Sequence, residues 1–325
     1  MSKRALILGI SGQDGAYLAQ LLLSKGYVVH GTSRDAENQA FKGLKTLGIR
    51  EQISVHSASL HDFRNLLNVI TEVQPNEIYN LSGQSSVGLS FSQPMESFES
   101  IASGTIQLLE VLRFLNANVR LYNACSSECF GETTPGTHCS ESNPFRPKSP
   151  YAMAKATAFW TTQTYREAYR LYVCSGILFN HDSPLRPTRF VTSKIVSAAV
   201  RIARSQRMRL ELGNLDVWRD WGYAQEYVEA MWLMLQQPQP DDYVIATGES
   251  HSLQEFLERC FREVDLDWTD HVDVNPALFR PFDLAYSGAD PAKAKSALKW
   301  QAQTTFDALI PLLVKHESHR QAEQG

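Results

Sequence analysis

Three glycines near the start of the chain, in Gly9-Ile10-Ser11-Gly12-Gln13-Asp14-Gly15, leave few folds open. They follow a short apolar run, Ala5 to Gly9, and precede Ala16 to Lys25, where apolar residues recur at helical spacing. Glycines between a strand and a helix permit a tight turn, let the backbone approach a pyrophosphate and let helix and strand pack closely. The helix start adds free N–H groups and a positive dipole end. The spacing alone is weak evidence, but at a first strand–helix junction it predicts a dinucleotide-binding turn.

The first half of the chain agrees with this reading. Strands are expected at Tyr27–Thr32, Ile53–His56, Glu77–Leu81, Val119–Ala124 and Tyr172–Phe179. Helices are expected at Leu60–Val73, Ile101–Leu115 and Tyr151–Tyr169. This alternation predicts an α/β fold, a Rossmann-type doubly wound parallel sheet with right-handed crossovers. After about Asn180, Pro184, Pro187, Pro238, Pro240, Pro276 and Pro281 break the rhythm into shorter elements. The expected organisation is a cofactor-binding domain over residues 1–180, with later segments returning to it. A smaller mixed α/β substrate-binding region follows over 181–325. The polar tail from His316 to Gly325 is expected to fray.

Composition narrows the function. With 43% hydrophobic and 20% charged residues and a net charge of −4, the chain is neither disordered nor a strongly basic nucleic-acid binder. No apolar run approaches the roughly 18 residues that cross a bilayer, so no membrane partner is expected. The apolar stretch after Met1 is too short for a signal peptide. Five cysteines, an odd number, argue for a reducing cytoplasm over a disulfide framework. Cys125 and Cys129 lack the following pair that a zinc site needs, so no metal is expected.

An NAD site has an acid near the end of its second strand. Here that place falls near Ser33, followed by Arg34 and Asp35. A small residue followed by arginine suits a 2′-phosphate and favours NADP, while Asp35 keeps NAD open. At the end of the fifth strand stands Ser126-Ser127-Glu128, followed by Tyr151-Ala152-Met153-Ala154-Lys155. Tyrosine and lysine four apart share a helix face. An ammonium beside a phenol lowers its pKa, making Tyr151 a candidate acid/base for a hydroxyl that becomes a carbonyl. Ser126 is positioned to hydrogen-bond the same oxygen. Glu128 is a candidate base for a carbon-bound proton made acidic by a transient ketone, which permits elimination of water.

Longer segments carry a resemblance. They are Tyr79-Asn80-Leu81-Ser82-Gly83-Gln84-Ser85, Gly176 to Pro184, Phe190-Val191-Thr192-Ser193-Lys194 and Leu212 to Gly222. With these the chain resembles the extended short-chain dehydrogenase/reductases that modify nucleotide sugars, most closely the GDP-mannose 4,6-dehydratases. The resemblance implies GDP-mannose or a related nucleotide sugar as substrate. Hydride would leave C4 as Tyr151 deprotonates O4, Glu128 would take the C5 proton as the C6 hydroxyl leaves, and hydride would return to C6. It implies cofactor contacts from Gly9, Ser11, Gly12, Gln13, Asp14, Gly15, Arg34, Ser59, Leu60, Leu81, Ser82, Gln84, Lys155, His181 and Arg186. It implies substrate contacts from Ser85, Ser127, Asn180, Val191, Lys194, Arg219 and Arg280, the cations suiting a diphosphate. A homodimer or homotetramer is also implied. The chain departs from the family pattern at Asp35, Ser59, Ser82-Gly83, Leu185 and Phe282-Asp283. A 4-keto reductase, epimerase or decarboxylase of the same superfamily is the alternative. A non-catalytic NADP-binding sensor would not need Ser126, Tyr151 and Lys155 together.

Overall fold

The computed structural model describes residues 2–204 and 208–323. Its strands are β1 (Arg4–Leu8), β2 (Val28–Ser33), β3 (Ser54–Ser57), β4 (Glu77–Asn80), β5 (Arg120–Ser126), β6 (Tyr172–Leu178), β7 (Asn180–Asp182), β8 (Leu210–Leu212), β9 (Trp218–Tyr223), β10 (Tyr243–Ile245), β11 (Ser250–Ser252) and β12 (Val272–Val274). Its helices are α1 (Gln13–Ser24), α2 (Lys42–Thr46), α3 (Phe63–Val73), α4 (Val87–Ser92), α5 (Pro94–Phe98), α6 (Gly104–Phe114), α7 (Pro150–Tyr169), α8 (Val191–Ala203), α9 (Ala224–Gln236), α10 (Leu253–Arg262) and α11 (Phe306–Ala322).

Strand β1 is apolar on both faces, and both faces are covered. Ala5 and Ile7 join a core with α1 and α9, whereas Leu6 and Leu8 join a core with α3 and α6. Alternate residues of a strand face opposite sides, so an uninterrupted apolar run is the signature of a sheet sandwiched between helices. The sheet has seven strands in the order β10-β6-β5-β4-β1-β2-β3, and every pair is parallel. The order reverses between β1 and β4. A crevice opens there, beyond the carboxyl ends of the strands.

Beyond Leu178 the chain crosses between two cores. Helices α8, α10 and α11 enclose a second core with β8 and β9. Segment Ala224–Ile245 goes back to the first core, where α9 packs on α1 and β10 pairs with β6. Leu298 and Trp300 join that core as well, before α11 returns to the second. Two small sheets complete the C-terminal part, β11-β9-β7 and β12-β8.

The tail differs from expectation. Helix α11 continues through His316 to Ala322, started by Thr305, whose hydroxyl accepts from the Ala308 N–H at 3.3 Å. Buried Leu309 and Leu313 hold it on the second core, and Gln321 reaches back to the Ser197 carbonyl. Gln324 and Gly325 lie outside the described residues.

Candidate active site

The turn between β1 and α1 is tight enough to require its glycines. Gly9 has φ +87°, and a methyl group there would come within 3.0 Å of the Leu81 and Ser82 backbone. At Gly15 it would lie 2.6 Å from the Gly9 carbonyl oxygen. No side chain caps the start of α1, so its first-turn N–H groups remain for a phosphate. Beside this turn runs a cleft of about 990 Å³. It is bounded by Gly9 and Ser11 to Gly15, by Arg34 after β2, by Ser59 and Leu60 after β3, by Leu81 to Ser85 after β4, and by Arg186. An uncapped helix start, a glycine cradle and a cleft of this length fit a dinucleotide.

His181 does not line the cleft; it lies behind the turn. Its Nε2 meets Asp14 Oδ2 at 2.9 Å, and its Nδ1 meets the Phe179 carbonyl at 2.8 Å. A ring with acceptors on both nitrogens favours the imidazolium. Burial lowers its pKa, but Asp14 outweighs burial and the net shift is upward. Burial likewise raises Asp14, yet His181 and the Gln13 amide hold it at about 2. Gln13 also donates to the His181 carbonyl and accepts from Ser183 at 2.7 Å. The turn is thereby bonded to β7 and the loop after it. At the other end of the cleft, Asp35 accepts from the Glu37 and Asn38 N–H groups and from the Asn38 amide at 2.8–3.1 Å. Arg34 extends into solvent, 4.0 Å from Glu96.

The chemical residues converge beyond the carboxyl end of β5. Ser149 caps α7, accepting from the Ala152 N–H, and Pro150 occupies the first turn. This sets Tyr151 and Lys155 on the buried face of the helix. Lys155 Nζ donates to the Ala124 carbonyl at 2.6 Å and sits 5.9 Å from the Tyr151 ring centre. Ser126 Oγ accepts from the Glu128 N–H at 3.3 Å, at the start of the single turn Ser127–Phe130. The lowered Tyr151 pKa expected from the Tyr–Lys spacing is not found. Burial pushes the phenol up, and its hydrogen bond with Ser126 offsets only part of this. Burial also lowers Lys155, against the pull of Cys125 and Cys129. Half-buried Glu128 is raised by burial, held back by Arg219 and Arg280 and pushed further by Asp283.

The expected substrate residues fall into two groups. Arg219, buried in β9, donates to the Trp218 and Leu284 carbonyls and pairs with Asp283 at 3.0 Å. Exposed Arg280 meets the same carboxylate oxygen at 3.3 Å. With Glu128 these form one charge cluster, beside buried Ser127. Lys194 instead turns its ammonium to the Glu211 carbonyl at 2.6 Å. Asn180 begins β7 and pairs with Trp221, and Val191 begins α8. Ser85 lies at the cleft rim.

A sequence profile described as GDP-mannose 4,6 dehydratase matches residues 6–313. The chain belongs to the GDP-mannose 4,6-dehydratase family. It is 44% identical to GDP-mannose 4,6 dehydratase 1 of Arabidopsis thaliana, covering 97% of this chain and 90% of that one. It is 39% identical to GDP-mannose 4,6-dehydratase of Vibrio cholerae, covering 98% and 94%. Among solved structures, UDP-glucose 4-epimerase of Thermus thermophilus in complex with NAD superposes with a TM-score of 0.85 at 26% identity, covering 97% and 98%. The fold is that of the extended short-chain dehydrogenase/reductases.

For this member of the dehydratase family, sequence reasoning missed several cleft residues: Gln39, His61, Glu96, Arg189 and Phe190. It also assigned no role to Asp283 as the shared partner of two arginines. Gln39 and His61 follow β2 and β3, and strand-end position was the available signal. Nothing in local spacing marks the others, because α5, which carries Glu96, and the segment Arg189–Phe190 lie far apart in sequence.

Proposed function

We propose that the protein dehydrates GDP-mannose to GDP-4-dehydro-6-deoxy-mannose, with NADP regenerated in each turnover. The position of Glu128 carries this reading. It lies two residues past Ser126, in the field of Arg219 and Arg280, alongside Tyr151. Redox chemistry alone calls for Tyr151 and Lys155; elimination calls for a second base.

In this reading the sugar O4 proton goes to Tyr151, and Ser126 hydrogen-bonds that oxygen. Burial raises the phenol, and the Lys155 ammonium, anchored on the Ala124 carbonyl 5.9 Å from the ring centre, would act against it in favour of the phenolate. A C4 ketone acidifies C5–H; Glu128 takes that proton and gives it to the departing C6 hydroxyl, which leaves as water, and the proton held by Tyr151 restores C5–H as C6 is reduced. A nicotinamide cofactor held along the glycine turn would supply the hydride chemistry, acceptance from C4 and return to C6. Arg219 and Arg280 orient the diphosphate, with Ser85, Ser127, Asn180, Val191 and Lys194 around the nucleotide sugar. The cofactor is a nicotinamide dinucleotide, held along Gly9–Gly15, Ser59, Leu60, Leu81, Ser82, Gln84 and Arg186. NADP is favoured over NAD because the Asp35 carboxylate is taken up by its own loop, while Arg34, exposed and 4.0 Å from Glu96, can turn to a 2′-phosphate. The residues after 181 serve mainly the sugar nucleotide. Exposed Phe114, Met153 and Trp160 on α6 and α7 support a homodimer through these helices. No helix among the described residues is long and apolar enough to cross a membrane, and we assign the enzyme to the cytoplasm.

The test is incubation with GDP-mannose and trace NADP, followed by mass spectrometry. Loss of one water without net cofactor reduction is expected. No change in any of a panel of GDP-, UDP- and dTDP-sugars would refute the reading.

A further inference from the structure

Three guanidinium groups line the cleft: Arg34, Arg186 and Arg189. Two have carboxylates nearby, Arg34 at 4.0 Å from Glu96 and Arg186 at 3.3 Å from Asp182. The acids of the turn and of the β2 end are engaged too, Asp14 by His181 and Asp35 by its own loop. Arg189 has no carboxylate partner among the described residues. Its Nη2 donates to Ser85 Oγ at 3.3 Å, and its guanidinium lies 5.0 Å from the centre of the Phe190 ring. Arg186 lies 3.8 Å from the same ring centre. Two like charges therefore share one ring, and only one of them is balanced.

The Ser85 contact ties Arg189 to the substrate side. Three residues further on, a Cβ on Gly88 would stand 3.6 Å from Arg280 Nε. The short segment Ser85–Gly88 thus has an arginine at each end. Arg280 shares Asp283 with Arg219, so one carboxylate cancels one of those two charges, and Glu128 faces the same pair. A diphosphate carrying two negative charges needs more positive charge than this cluster supplies. The cofactor pyrophosphate, by contrast, has the uncapped start of α1.

We propose that Arg189 reads a phosphate of the nucleotide sugar, completing with Arg219 and Arg280 the cationic lining of the diphosphate site. The assignment rests on the nucleotide-sugar reading above. The Ser85 bond uses one of five guanidinium donors, and the rest remain for phosphate oxygens. Phe190 and Ser85 hold the group in place, which limits the ordering cost on binding.

Calorimetric titration of the full-length protein with GDP, guanosine and NADP separately tests this. In Arg189→Gln, GDP affinity should fall about tenfold or more, the range for a lost charge-assisted bond. Guanosine and NADP affinities should stay within about twofold, and intact NADP binding verifies the fold. Arg189→Lys, which keeps the charge but not the fork, should recover part of the loss. Unchanged GDP affinity, or loss of NADP affinity alone or together with GDP, overturns the assignment. A parental protein that binds NADP but not GDP overturns the nucleotide-sugar reading itself.

Discussion

Replacing His181 with glutamine isolates the charge behind the glycine turn. Glutamine can still hydrogen-bond Asp14 but cannot carry the positive charge. A carboxyl held at about 2 rather than 3.8 corresponds to about 2 kcal/mol of preference for the charged form in the folded protein. At about 1.5 °C per kcal/mol for a chain of 325 residues, the melting temperature should drop by about 3 °C. The effect should depend on pH. Asp14 is depressed, so its contribution is present above 3.8 and is lost as pH falls through about 2. His181 is raised, so its contribution is full below 6.5 and is lost as pH rises through its elevated value. The gap between parent and variant should therefore be widest between about pH 4 and 6.5 and should close on the alkaline side. Calorimetric melts from about pH 4 to 9 read this directly. NADP affinity should also fall about tenfold, because the variant leaves an uncompensated carboxylate in the first turn of the phosphate-binding helix. A melting difference as large at about pH 9 as at pH 5 would refute the ion-pair argument and leave only shape.

Three further outcomes are expected. Glu128→Gln should cut dehydration by about 100-fold or more, the scale of a lost general base, yet single-turnover absorbance should still register cofactor reduction; dehydration at the parental rate would remove Glu128 from the mechanism. Gly15→Ala, which sets a methyl group 2.6 Å from the Gly9 carbonyl oxygen, should abolish NADP binding and lower the melting temperature, and normal affinity would mean that the turn can widen. Burial holds Glu128 above 4.5, and it must be ionised to accept a proton, so kcat should fall as pH drops through that raised value. Arg280→Gln should move this acid limb to higher pH, and an unmoved limb in a pH–rate profile would show that Arg280 does not act on Glu128.

The parts of the fold legible in sequence are those with long, regular apolar spacing. Strands β1 to β6 and helices α1, α3, α6 and α7 follow from the glycine turn and the change of period, whereas the short helices α2, α4 and α5, of five or six residues each, left no such pattern. Strand β10 was not legible, because Tyr243–Ile245 is three residues long after a proline-rich stretch and owes its place to pairing with β6. The polar end of α11 read as frayed because its anchors, Leu309 and Leu313, lie earlier in the helix. In the site, the Tyr151–Lys155 spacing was visible but the sign of the Tyr151 shift was not, since burial is a property of the whole fold. His181 and Asp14 are 167 residues apart, and no local pattern links them. Arg219 was expected to wait for phosphate; it also donates to two backbone carbonyls, a structural duty invisible in composition.

The return of Ala224–Ile245 to the first core bears on how such enzymes can be rebuilt. A fragment ending near residue 180 would expose the hydrogen-bonding edge of β6 that β10 covers, and would strip α9 from the apolar face of α1. An open, apolar edge of this kind pairs with other chains. Neither half is therefore a removable module. A chimera exchanged at a single junction would set a foreign α9 and β10 against α1 and β6, whereas a graft of new sugar-binding elements that leaves Ala224–Ile245 in place keeps the native pairing.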